Sequence, residues 1–247
     1  MRGMRAQFDA SGEVLIVTGG ASGIGAALAH AYAEAGGSAV VFDVAAGGAS
    51  GHSRIRFCRV DVADRDAVFA AVAEVHATYG RIDALVAGAA VQPRVDVVDM
   101  PAQDWRRTMA VNLDGVVWCA QAVLPHMIGR RSGVILAFGS GLGNAGRAQA
   151  SAYAASKAAL VAFTKSLAAE VIEHRIRVNT VLPGVIDTPQ FRAANPIGAE
   201  RDHWERSTGI GEPEDVVGPL LFLLSSSSTM TGSVLARERA LGAGDLA

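Results

Sequence analysis

The chain has 247 residues, half of them hydrophobic and 19% charged, with a formal net charge of −2 at pH 7. That length suits one large α/β domain or two small ones, and the apolar share is enough for a substantial core. The near balance of charge gives no pull toward nucleic acid or an anionic membrane, so neither is expected as a partner.

Cys58 and Cys119 are far apart and form no Cys-x-x-Cys pair, which argues against a disulfide framework and for a reduced, cytoplasmic setting. The start, Met1-Arg2-Gly3-Met4-Arg5, is basic, but no apolar signal core follows it. No apolar run reaches the roughly 18 residues of a membrane span. The histidines are scattered without ligand spacing, so no metal site is expected.

In chain order, Glu13–Val17 reads as a buried strand that runs into Thr18-Gly19-Gly20-Ala21-Ser22-Gly23-Ile24-Gly25 and then a helical stretch from Ala26. Strand, glycine-rich turn and helix together form a nucleotide-binding context. Glycines let backbone approach a diphosphate, and the helix N-terminus offers free N–H groups; Gly19, Ser22, Gly23, Ile24 and Gly25 are the candidate contacts. An ordinary tight turn is the plain alternative.

Ser38–Phe42 is a second strand with Asp43 at its end, placed to accept a ribose 2′-hydroxyl and repel a 2′-phosphate. Neither Ser22 nor Val44 supplies a cation for that phosphate, and Arg54 follows a Gly/Ala loop, so NAD is expected over NADP. Arg56–Val60 reads as a third strand ending at Asp61-Val62, where an adenine edge would sit. Asp64 is placed to cap a helix through Tyr79. Asp83–Ala87 is the fourth strand, and small residues from Ala87 to Ala90 leave room for a cofactor against the sheet.

Asp104 to Gly129 reads as one long helix carrying Asn112, a polar amide that must find partners in an apolar stretch. It is either a satisfied core residue or part of a relay behind a catalytic lysine. Val134–Phe138 is a buried strand with Ser140 just beyond its carboxyl end, where open α/β sheets place ligands. Ser151 through Glu170 then reads as a helix with Tyr153 and Lys157 four apart on one face.

A tyrosine titrates near 10, too high for an efficient base at neutral pH, and a neighbouring ammonium is expected to lower it. A serine hydroxyl can hold the substrate oxygen while the proton is exchanged. Arg177–Val181 is a sixth strand, followed by Pro183-Gly184-Val185-Ile186-Asp187-Thr188. Gln190–Gly211 is polar without a clear period and reads as a mobile lid. A helix over Glu212–Leu224 and a strand at Ser233–Ala236 close the pattern. Unbroken βαβ alternation indicates one α/β domain, a Rossmann-like doubly wound parallel sheet with helices on both faces.

These residues together resemble the short-chain dehydrogenase/reductase family, in its single-domain branch of about 250 residues. The likeness runs from Val14 to Leu235 and rests on the Thr18–Gly25 turn, Asn112, Ser140, Tyr153-x-x-x-Lys157 and Pro183-Gly184 with Thr188. It implies that Tyr153 is the acid/base and that Ser140 orients the substrate oxygen. Lys157 would bind the nicotinamide ribose and lower the tyrosine pKa, while Asn112 holds a water linking the lysine to solvent. Ile186 backbone and the Thr188 hydroxyl would hold the carboxamide, and Asp61 and Val62 would meet adenine. Self-association as a homodimer or homotetramer is implied as well, with Leu160 and Phe163 fitting either that use or an intrachain core.

The chain departs from the family pattern twice. Ala87-Gly88-Ala89-Ala90 stands where the family has Asn-Asn-Ala-Gly, removing amides that steady the sheet centre. After Ala236 a charged tail, 237–247, replaces Asp-Gly-Gly. The expected function is an NAD-dependent oxidoreductase interconverting a secondary alcohol and a ketone. An NADPH-dependent ketoreductase of carrier-bound or polyketide-like acyl chains and a non-catalytic nucleotide-binding protein are the alternatives. The expected substrate lining, Gly141, Leu142, Asn144, Gln149, Gly184 and the lid (about 188–211), holds few aromatics and no fixed cation cluster. That points to an uncharged, small-to-medium substrate.

Overall fold

A computed structural model describes residues 6–45 and 51–238; the basic start and the tail beyond Glu238 lie outside the described residues. The strands among them are β1 (Val14–Thr18), β2 (Ser38–Asp43), β3 (Ile55–Arg59), β4 (Ala84–Ala87), β5 (Gly133–Phe138), β6 (Ile176–Leu182) and β7 (Val234–Ala236). They form one parallel sheet in the order β3-β2-β1-β4-β5-β6-β7. The order reverses between β1 and β4, so two loops diverge there and leave a crevice at the carboxyl edge.

Apolar residues fill both faces of the strands, as a sheet covered on both sides requires. Along β1, Val14 and Ile16 face one layer and Leu15 and Val17 the other. The first layer is covered by α2 (Arg65–Tyr79), α4 (Gly115–Arg130) and α6 (Ser151–Val171), through residues such as Val72, Val123 and Leu167. The second is covered by α1 (Gly23–Glu34) and α9 (Val217–Leu224), through Leu28, Tyr32, Leu220 and Leu223. Asp64 caps α2, its Oδ1 accepting from the Ala67 N–H at 3.1 Å, and Gly80 ends it at φ 71°.

Leu160 is fully buried against β4 and β5 residues, and Phe163 packs against the same core, so both belong to the intrachain core in this protomer.

Three stretches differ from the sequence reading. The helix expected over Asp104–Gly129 is interrupted: α3 (Ala102–Met109) passes into a π-helical turn, Ala110–Asp114, before α4. The widened turn carries Asn112, and such turns concentrate at functional sites. The region read as a polar lid is instead partly helical, with α7 (Pro189–Ala194) and α8 (Ala199–Ser207). Thr188 starts α7 by accepting from the Phe191 N–H at 3.1 Å, and Pro189 follows it, a start signal of the usual kind. The last helix begins with a 3-10 turn, Pro213–Val216.

Beyond β6, a parallel bridge of Ile186 with Gly211 staples both ends of the α7–α8 segment. The Asp187 N–H donates to the Gly211 carbonyl at 2.8 Å and the Gly211 N–H to the Val185 carbonyl at 2.9 Å. No helix among the described residues is long and apolar enough to cross a membrane.

Candidate active site

Two adjoining cavities, about 210 and 220 Å³, open at the carboxyl edge of the sheet and share Gly19, Ser22, Gly88, Ala90 and Gln190 as walls. One runs toward β2 and β3, the other toward β5 and α6. Two chambers joined at a glycine turn are what an extended dinucleotide needs.

The joint itself has no room to spare. Gly19 has φ +70°, and a Cβ there would lie 2.7 Å from the Ala89 nitrogen; one on Gly25 would lie 2.6 Å from the Gly19 carbonyl oxygen. Ser22 makes no capping bond, and no acid sits in the first turn of α1, so the helix N-terminus keeps its positive end for an anion. A diphosphate fits this cradle. Ser22, Gly23, Ile24 and Gly25 all line the cavity.

At the far end of the second chamber Asp43 is held by two backbone donors, Ala21 N–H and Ala45 N–H, both at 3.0 Å. Asp61 and Val62 line the same chamber. Asp61 is paired with Arg107 at 3.0 Å, which cancels the cation on that wall and leaves Asp43 as its uncompensated charge. Ala87 is buried within β4 and does not line either chamber, because the strand has not yet ended; Gly88, Ala89 and Ala90 form that wall.

A threonine holds that segment to β1. The Thr18 hydroxyl accepts from the N–H groups of both Gly88 and Ala89 at 3.1 Å, tying the ends of β1 and β4 together. Gly88 N–H also reaches the Thr18 carbonyl, whereas Ala89 depends on the hydroxyl. Thr18→Val should therefore cost about 1 kcal/mol by removing the acceptor of a half-buried donor. Urea unfolding, with its slope unchanged, measures that loss.

Asn112 lines neither chamber; it is fully buried behind the same wall. Its Oδ1 accepts from Val91 N–H at 2.8 Å, and its Nδ2 donates to the Val91 carbonyl at 3.0 Å and to Ser156 Oγ at 3.1 Å. Both amide hydrogens are spent, so the side chain is a tie between the β4 loop and α6 and not a donor toward Lys157.

Ser140, Tyr153 and Lys157 line one cavity, brought together because β5 ends where the first turn of α6 begins. The Ser140 Oγ accepts at 3.2 Å from the N–H of Leu142, the first residue of α5 (Leu142–Ala145), which leaves its proton available toward the Tyr153 phenol, whose pKa the serine hydroxyl lowers. Lys157 is buried, donates from Nζ to the Phe138 carbonyl at 2.7 Å, and lies 5.6 Å from the centre of the Tyr153 ring.

The expected lowering of the tyrosine is not found here. Burial raises Tyr153 above its ordinary value, and the Ser140 bond offsets this only in part. Burial also brings Lys157 down to about 8. Desolvation penalises both charged forms.

Lys157 gives stability a pH signature. Its folded pKa lies below the unfolded value near 10.4, so between the two the unfolded chain binds more protons and stability rises with pH. Lys157→Met should abolish a gain on the order of 2 kcal/mol between pH 7 and 10. Unfolding curves of both proteins across that range provide the check.

Of the expected substrate lining, Leu142 and Gly184 form cavity wall, but Gly141, Asn144 and Gln149 are exposed and lie outside it. Gln149 turns away at φ 63°, its side chain donating to Asp96 and its carbonyl accepting from Val95 N–H at 3.0 Å. The expectation of few aromatics and no cation cluster is also overturned. Phe138, Phe191 and Trp204 line the cavity, and so do Arg94 and Arg147, both paired with Glu200 of α8. Arg147 stacks 4.4 Å above the Trp204 ring, whose N–H donates to Asn195 at 3.1 Å. These contacts fasten α7 and α8 over the cavity where a mobile lid was expected.

At the chain's end Arg237 prolongs the pairing of β7, its N–H donating to the Leu182 carbonyl at 2.9 Å, and its guanidinium meets Asp215 at 3.3 Å.

Among known proteins, the profile of the short chain dehydrogenase family matches residues 13–197. The chain is 36% identical over 244 residues to a cis-4-hydroxycyclohexanecarboxylate dehydrogenase of Sinomonas cyclohexanicum, covering 90% of this chain and 94% of that protein. It is 36% identical over 236 residues to a 3-oxoacyl-(acyl-carrier-protein) reductase FabG of Thermotoga maritima, covering 91% and 95%. Among solved structures it is similar to a gluconate 5-dehydrogenase from Burkholderia cenocepacia in complex with NADP and tartrate. That match has a TM-score of 0.87 and 33% identity, and covers 93% of this chain and 95% of the other.

Proposed function

The chain belongs to the short-chain dehydrogenase family, and we propose that it interconverts a secondary alcohol and a ketone with NAD(H), using Tyr153 as acid and base. It is an oxidoreductase of CH–OH groups that takes a nicotinamide cofactor. The observation that carries the proposal is the cluster in one cavity of Ser140, Tyr153 and the buried Lys157.

The nicotinamide, when bound, supplies or accepts the hydride. Gly19 and the first turn of α1 would hold its diphosphate, and Asp43 its adenosine ribose. Asp61 and Val62 would border the adenine, with Ile186 and Thr188 at the carboxamide. The Thr188 oxygen already accepts from Phe191 N–H, which leaves its O–H as a donor.

In the ketone direction the Tyr153 hydroxyl gives its proton to the substrate oxygen; in the alcohol direction the phenolate takes it. Ser140 donates to whichever of these oxygens carries the charge. Lys157, anchored on the Phe138 carbonyl, would reach the nicotinamide ribose and places a cation beside the phenol's end of the cavity. Asn112 holds the β4 loop against α6 so that these groups keep their spacing.

NAD is the cofactor of this reading on the strength of Asp43, which lines that chamber and whose carboxylate would repel a 2′-phosphate. The 3-oxoacyl-carrier reductase likeness favours the second reading, an NADPH-dependent ketoreductase. Self-association as a dimer or tetramer belongs to the same proposal and is measured by light scattering on the eluting protein. Initial rates on a panel of secondary alcohols and ketones, with NAD(H) and NADP(H) side by side, test the proposal. It expects turnover with NAD(H); a clear preference for NADPH with acyl thioesters would replace it with the second reading.

A further inference from the structure

The charged side chains that line the substrate cavity among the described residues are all cations: Arg94, Arg147 and Lys157. Lys157 stands at the catalytic end. The two arginines come from different loops, one after β4 and one ahead of α6, and those loops are tied by the Val95–Gln149 backbone bond of 3.0 Å. Both guanidinium groups converge on a single oxygen, Glu200 Oε1, Arg94 at 2.9 Å.

One carboxylate against two guanidinium ions leaves one positive charge unbalanced. The side chains are largely withdrawn from solvent, at 18% and 19% exposure, so water screens that charge poorly. Donors are in surplus as well. Arg94 has only a 3.4 Å contact with the Ala194 carbonyl besides Glu200, and its buried Nε–H finds no partner among the described residues. Burial raises Glu200, but the hydrogen bond from Arg94 and the charge of Arg147 outweigh this and hold it ionised. Trp204 beneath Arg147 and the Asn195 bond beneath Trp204 fix the fork in place.

We infer that the substrate carries a carboxylate, which Arg94 and Arg147 hold in the substrate cavity while its hydroxyl or oxo carbon faces Tyr153. A single residual positive charge matches a monoanion, and planar guanidinium forks match carboxylate oxygens. Glu200 then has two tasks: it keeps the arginines from repelling each other, and it limits the site to one negative charge. The assignment rests on the alcohol–ketone reading of the cavity, yet it makes a separate prediction about binding.

The test uses the enzyme with NADH and measures by calorimetry the affinity of pentanoate, hexanoate and benzoate, each against its neutral primary amide. At least one acid should bind tenfold or more tighter than its amide. Arg94→Gln and Arg147→Gln should each bring that ratio below about threefold, with NADH affinity unchanged. Tyr153→Phe separates the two levels: it should lose turnover and keep the acid-over-amide ratio. A Tyr153→Phe protein that still turns over would sink the catalytic reading while leaving the anion site standing. Acids and amides binding alike in the unaltered enzyme, or a ratio that survives both arginine changes, would overturn the carboxylate assignment.

Discussion

Tyr153→Phe is expected to lower kcat by about 10²–10⁴-fold, the span that a positioned acid/base contributes, while NADH affinity changes little. The ring and its packing survive; what is lost is the phenolic hydroxyl that shares the cavity with Ser140. In the ketone direction the developing oxyanion then has no acid to draw on, and in the alcohol direction no base takes the proton. Because burial holds the phenol above its ordinary value, the unaltered enzyme should oxidise alcohols faster as pH rises from 6 toward 8, where Lys157 begins to lose its charge. Ketone reduction, which needs the protonated phenol, should hold level over the same range. Initial rates in both directions, with a fluorescence titration of NADH, read all of these quantities.

The second large effect concerns the cofactor. Asp43→Ser should raise kcat/KM with NADP⁺ relative to NAD⁺ by about 10²-fold, since like charges set against each other cost several kcal/mol and each 1.4 kcal/mol is tenfold. The carboxylate is not free to swing clear, being fixed by the Ala21 and Ala45 N–H groups. Among the described residues, the one cation on that chamber's wall, Arg107, is already engaged by Asp61. A cofactor ratio that stays put in the variant would show that the 2′ position is read elsewhere.

Most of the scaffold could be read from the chain because its signals are local. The buried strands are short apolar runs, Asp64 precedes its helix as an N-cap should, and the turn from Thr18 to Gly25 sits between strand and helix. What escaped was set by distance along the chain. Arg94 and Arg147 lie 53 residues apart by their own numbers and meet only at Glu200, 106 residues beyond the first. No period or motif signals such a meeting. Gln149 sits among plausible lining residues, yet its backbone turns left-handed and sends the side chain to Asp96.

The helices α7 and α8 escaped for a related reason. Their stretch is polar and short in apolar period, and what fastens it over the cavity is the pairing of Arg94 and Arg147 with Glu200 and the Arg147–Trp204 stack, none of which is local. The opposite error arose at Tyr153, where adjacency to a lysine suggested a lowered pKa. Burial, which a sequence does not display, is what sets the direction of both shifts, at Tyr153 and at Lys157.

Hydride transfer tested with a labelled alcohol addresses the central claim most directly. The enzyme is mixed with NAD⁺ and a set of secondary alcohols, each carrying deuterium on the carbinol carbon, and the recovered NADH is weighed by mass spectrometry. The account predicts deuterium in the NADH from at least one alcohol, and its near absence when Tyr153→Phe is used. Unlabelled NADH throughout, or labelling at an equal rate in the Tyr153→Phe protein, would contradict it.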